Sequence, residues 1–150
     1  MTDLRALCAE LGFGRIETYI ASGNVVFDCA LGAGKVQAQL ERQLHVYAGK
    51  AIEVFMRTAP EMRTVLTRNP FASREPNRTY AFFLNEEPRS DALDNVRGQG
   101  AEMMGLGNRE IYVYYPSGMG QSKLQIPMAK FGTARNMNTV AKLVEMSSRA

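Results

Sequence analysis

The feature that most restricts what this chain can become is the alternation of two hydrophobic periods along it, about 3.6 residues in some segments and 2 in others. Leu4, Leu7, Cys8 and Leu11 recur at i, i+3, i+4 and i+7 ahead of Gly12, which predicts an amphipathic helix with a glycine stop. Ile16, Thr18 and Ile20 then alternate with Glu17 and Tyr19. Ser22-Gly23-Asn24 supplies turn chemistry and Val25-Val26-Phe27 is rich in strand formers, so a β-hairpin follows the helix. Val36, Leu40, Leu44 and Tyr47 share one face of a second predicted helix, and Ile52, Val54 and Met56 alternate as a strand. Thr58 and Glu61 have the spacing of a capping box around Pro60, opening a short helix that Asn69-Pro70 closes. Residues 72–77 are polar and read as a loop.

The second half repeats this grammar. It predicts a strand over 79–84, a short helix over 90–96, a strand over 102–106, a Gly107-Asn108 turn, a strand over 109–115, and closing helical segments. In the last helix Met137, Val140, Ala141 and Val144 form the expected buried stripe, with Lys142 and Glu145 toward water. Strand, helix, hairpin and helix in that order define a split βαβ unit. The expected fold is therefore α+β: a two-layer sandwich of ferredoxin-like topology, its pattern repeated in two halves, plus C-terminal helices. One domain is expected over 1–150, divisible into subdomains 1–71 and 78–150. The first copy opens on a helix and lacks the strand that should be central to its sheet. Either the protein starts upstream, an N-terminal truncation, or another chain or segment supplies that strand.

Composition narrows the class. With 150 residues and 45% hydrophobic content the chain can bury a sizeable core without staples. Cys8 and Cys29 lie far apart with no C-x-x-C spacing, and His45 is the one histidine, so no structural metal site or cofactor is expected. A reducing, cytoplasmic location fits, with no bilayer-length apolar run and no signal-peptide pattern at Met1-Thr2-Asp3-Leu4. The net charge of +3 is spread along the chain, which favours anionic partners only slightly.

Four ordered segments carry a family resemblance: 18–27 (TYIASGNVVF), 68–71 (RNPF), 115–124 (YPSGMGQSKL) and 133–140 (TARNMNTV). Together they resemble the bacterial family called domain of unknown function 1697, over Leu4 to about Glu145. The resemblance implies an α+β fold with ferredoxin-like topology, and members that begin with an additional strand and a glycine-rich turn. It implies no activity and no catalytic residues. At Met137 the family pattern often has tryptophan, a change an apolar core position tolerates.

Candidate chemistry gathers in the same segments. Residues 117–123 (SGMGQSK) suggest an anion nest, because glycines let backbone N–H groups converge and Lys123 adds a charge. The glycine spacing is wrong for a P-loop, and Leu124 stands where a magnesium-ligating hydroxyl belongs. A glycine-rich turn with Ser122 capping a helix is the plainer reading. Arg135, Asn136 and Asn138 sit at a predicted helix start, where an asparagine caps the backbone and Arg135 calls for a negative partner, either a carboxylate such as Glu17 or a ligand. Ser22, Gly23 and Asn24 are first of all hairpin residues, but their polar groups could join the others. The strand from Arg78 to Leu84 partly resembles an aromatic RNA-binding strand, with Tyr80 and Phe82 on one face, although core aromatics explain it better. No Ser-His-Asp set forms around His45, and Glu86, Glu87, Asp91 and Asp94 lack a paired spacing.

The expectation is thus a small-ligand or anion-binding module whose site comprises Ser22, Gly23, Asn24, Gly120, Ser122, Lys123, Arg135, Asn136 and Asn138, its ligand carrying a phosphate or carboxylate. The alternatives are a nucleic-acid-binding module and a self-associating protein that pairs through an unfilled sheet edge as a homodimer. No membrane partner is expected, and whether any reaction is catalysed stays open.

Overall fold

A computed structural model describes residues 2–19, 23–29 and 31–147. The chain divides into two compact units, one formed by residues up to Ala59 together with Leu143 onward, the other by Pro60–Lys142. The boundary between them falls just inside the third helix.

The first unit holds α1 (Thr2–Glu10), β1 (Gly14–Tyr19), β2 (Asn24–Asp28) and α2 (Ala33–Ala48). Helix α1 stops as the sequence predicts. Gly12 has φ +84°, its N–H donates to Ala9 O, and the N–H of Phe13 donates to Cys8 O, which is the Schellman pattern. The turn also delivers Phe13 into a core of Cys8, Val36 and Leu40, where its ring stacks on Phe27 at 4.3 Å between centroids. Strands β1 and β2 pair antiparallel, Tyr19 opposite Asn24, with an irregularity between Gly14 and Glu17 at which Arg15 takes φ +48°.

Two expectations fail in this unit. Tyr47 is 59% exposed, so the buried face of α2 centres on Val36 and Leu40 and does not extend to its C-terminal turn. The segment carrying Ile52, Val54 and Met56 forms no strand. Val54 and Met56 pack against the core as alternation requires, but the Val54 N–H donates to Glu41 Oε2 at 2.9 Å and its carbonyl accepts from Gln37 Nε2 at 2.9 Å. Side chains of α2 occupy the places of ladder partners, and a segment bonded in this way is not in a sheet.

The second unit contains α3 (Ala59–Thr67), β3 (Thr79–Phe83), β4 (Met103–Leu106), β5 (Glu110–Tyr114) and β6 (Thr133–Asn136), and α4 (Met137–Ser147) follows. The four strands make one antiparallel sheet in the order β4-β5-β3-β6. Every residue of β5 is buried, because both faces of the sheet are covered. Ile111, Val113 and Tyr115 join Leu84 and Ile126 in a core that Tyr80 and Phe82 also pack against. Tyr112 points the other way, its hydroxyl donating to Val65 O of α3 at 2.7 Å, and burial raises its pKa. On that same face Tyr114 donates to Glu75 at 3.0 Å beneath the Arg74 guanidinium, while Arg68 reaches Asn108 at 2.6 Å, so the 68–78 segment is strapped across the sheet.

The connections differ from expectation. Residues 90–96 form turns instead of a helix, held by i→i+3 bonds from Ala92 N to Arg89 O and from Asp94 N to Asp91 O. Two aspartates and an asparagine in seven residues compete for the backbone and favour turns over a helix interior. The connection from β5 to β6 holds only short 3₁₀ turns, Met119–Gln121 and Pro127–Phe131. Thr133–Asn136, which the sequence assigns to no strand, is the edge strand β6, and the helix start expected around Arg135 to Thr139 falls at Met137. In α4 the buried residues are Met137, Thr139, Val140 and Met146, whereas Ala141 is exposed.

Candidate functional site

Several of the candidate residues have definite local roles. Gly23 takes φ +86° in the hairpin, and Asn24 Nδ2 donates to Tyr19 O at 3.1 Å, bracing the turn. Ser22 lies outside the described residues. Gly23 and Asn24 belong to the first unit, the remaining candidates to the second.

Ser122 does not cap a helix. Its hydroxyl donates to Glu102 Oε2 at 2.8 Å and accepts the Leu124 N–H at 3.0 Å, while Glu102 Oε1 accepts the Gly100 N–H at 2.6 Å. These donors hold the Glu102 carboxyl below its usual range, the Gly100 N–H first and the Ser122 hydroxyl second. Gly120 lies exposed in a 3₁₀ turn, and Lys123 is exposed. Asn136 is the cap at the start of α4, its Oδ1 accepting the Thr139 N–H at 2.9 Å. Asn138 is exposed in the first helical turn. Arg135 donates from one guanidinium nitrogen to Thr133 Oγ1 and to Ala134 O, both at 2.8 Å, and desolvation lowers its pKa.

Within the second unit these residues divide between two sheet edges. Ser122 is tied to Glu102 beside β4, whereas Arg135 and Asn136 lie on β6 at the opposite edge. Three interstrand steps separate those edges, roughly 14 Å.

A different set converges. The two connections that lack helices meet at a bridge between Arg97 and Gln125, with Arg97 N donating to Gln125 O at 2.9 Å and Gln125 N to Arg97 O at 2.7 Å. Gly98 makes this possible: it has φ +69°, and a Cβ there would stand 2.1 Å from Lys123 O. Beside the bridge lies a cavity of about 520 Å³ lined by Asp94, Asn95, Arg97, Gln125 and Lys130 among others. None of Asp94, Arg97 and Lys130 forms an ion pair among the described residues. The residues around this open hollow thus include two cations, one carboxylate and two amides, all of them exposed to solvent and the three charged ones without an ion-pair partner among the described residues.

Of this set the sequence drew attention only to Asp94, as a surface carboxylate. The one local signal was Arg97-Gly98, a charged residue before a glycine that punctuates a long connection. Among the described residues no group of three His, Cys, Asp or Glu side chains is placed to hold a metal, and no helix is long and apolar enough to cross a membrane. Tyr80 and Phe82, the partial RNA-binding pattern, pack against the core, with Tyr80 edge-on to Tyr115 at 5.6 Å.

A two-unit α+β chain with its polar cavity between sheet connections belongs to a family defined by sequence rather than activity. The profile described as Protein of unknown function (DUF1697) matches residues 1–112, so the chain is a member of that family. Two of the four resembling segments, 115–124 and 133–140, lie beyond that match. The structure is similar to that of the conserved bacterial protein SP0830 from Streptococcus pneumoniae, with a TM-score of 0.81 over 99% of this chain and 88% of that one. At 22% identity this likeness speaks for the fold. No curated protein matches the sequence.

Proposed function

We propose that this protein binds a small anionic molecule, and that the site is the cavity beside the Arg97–Gln125 bridge rather than the turns around Ser122 and Arg135. The observation that carries this reading is the pairing of Arg97 and Lys130 around one hollow with neither cation neutralised by the protein. Two cations facing shared solvent repel one another, and an anion between them removes that repulsion while gaining charge-assisted hydrogen bonds. The volume lies within the range of small-molecule sites. Loops carried on a buried sheet are where binding residues concentrate. The same reading treats the second unit as a ferredoxin-like sheet whose crossovers have exchanged helices for turns, making room for the hollow.

Calorimetric titration of the full chain at low salt with inorganic phosphate, pyrophosphate and succinate tests the proposal. At least one gives a saturable isotherm, and Arg97→Ala and Lys130→Ala each weaken it about tenfold, the equivalent of ~1.4 kcal/mol. Lys123→Ala, outside the cavity lining, leaves it unchanged. Binding of none of the three, or an equal loss with Lys123→Ala, overturns the assignment.

A further inference from the structure

The same cavity carries a third charge that a simple anion does not use. Asp94 lines it with Arg97 and Lys130, yet is paired with neither. Its backbone is fixed by the Asp94 N to Asp91 O turn bond at 3.0 Å, and Arg97 three residues on is fixed by the Gln125 bridge. The carboxylate and the guanidinium are thus attached to anchored stretches of chain and remain unneutralised by each other. A purely anionic ligand held by Arg97 and Lys130 would meet repulsion from Asp94, and because all three residues are exposed that repulsion falls as salt is added.

We infer, resting on the anion-binding reading above, that the ligand is zwitterionic with a net charge of about −1: two carboxylates, or one phosphate, facing Arg97 and Lys130, and one ammonium facing Asp94. The charges lining the cavity, two positive and one negative, are the complement of such a molecule. Asn95 and Gln125 add amide donors and acceptors that orient a polar ligand without adding charge. The chemical class is that of acidic amino acids and aminoalkyl phosphates. Opposed charges in one site also give selectivity by exclusion, because a ligand lacking the ammonium leaves Asp94 unpaired against its acid groups.

Matched probes test this with the full chain: glutamate against glutarate, and O-phosphoethanolamine against ethyl phosphate, each pair differing by the amino group. Wild type is expected to bind at least one amino-bearing probe five- to tenfold more tightly than its partner. In Asp94→Asn that preference disappears, mainly because the amino-free partner binds better. Affinity that rises when a carboxylate is neutralised cannot come from misfolding. Equal or tighter binding of glutarate and ethyl phosphate by wild type, or a preference unchanged in Asp94→Asn, overturns the zwitterion. If phosphate and succinate still depend on Arg97 in that case, the anion site stands without it. Failure of every probe, inorganic phosphate included, removes both.

Discussion

At the scale of single residues, the cavity depends on a glycine. Gly98 lets the chain bearing Asp94 and Arg97 approach the backbone of Lys123 more closely than any side chain permits. Gly98→Ala combines a left-handed backbone with a Cβ driven against a carbonyl, and the obstacle is main chain, which cannot swing away. The variant is expected to lose more than about 1 kcal/mol of stability in urea denaturation. Gly120→Ala, where the added methyl meets open space at no positive φ, should change stability by less than about 0.5 kcal/mol. Equal losses in the two would show that the close approach at Gly98 is not a constraint. The glycine-rich turn around Gly120 illustrates what residue types alone leave undecided. Ser122, Lys123 and Gly120 have the residue types of an anion nest, but the Gln121 and Ser122 N–H groups donate to Gly118 O and Met119 O within the turn, and the Ser122 hydroxyl donates to the distant Glu102.

Elements were legible wherever hydrophobic periodicity and punctuation coincided. Helices α1, α2 and α3, the first hairpin and strands β3 to β5 all lie where the two periods place them, since those patterns reflect local geometry. The misses occur where nonlocal bonding decides. Residues 52–56 alternate like a strand, yet Glu41 and Gln37 of α2 satisfy Val54. Thr133–Asn136 gave no strand signal because its partner, β3, lies fifty residues back by the Phe83–Thr133 pairing, whereas the start of α4 just after it was legible. The bonding of Val54 yields a prediction at this scale. Glu41→Ala removes the acceptor of its part-buried N–H and should cost about 1–2 kcal/mol, with the Val54 amide losing protection in hydrogen exchange. Glu41→Gln, which keeps an acceptor oxygen, should restore most of that protection. Unaltered protection in Glu41→Ala would mean that another group holds the segment.

For the whole molecule, the second unit's buried sheet carries the connections on which the proposed site depends. A fully buried β5, cores on both faces and the strap from Arg68 to Arg78 leave its turn-built connections as the places where sequence can change without loss of fold. The site was nearly invisible in the sequence for a corresponding reason. Asp94, Arg97, Gln125 and Lys130 span thirty-seven positions and have no spacing rule, and the bridge between two connections brings them to one hollow. The central claim is that this hollow, and not the glycine-rich turn or the start of α4, receives an anion. Residue-resolved amide shifts of the full chain during titration with inorganic phosphate test it most directly. Saturable shifts confined to residues 94–98 and 125–130, and abolished in Arg97→Ala, are the expected result. Shifts centred on Lys123 and Arg135 to Asn138 that persist in that variant would contradict it.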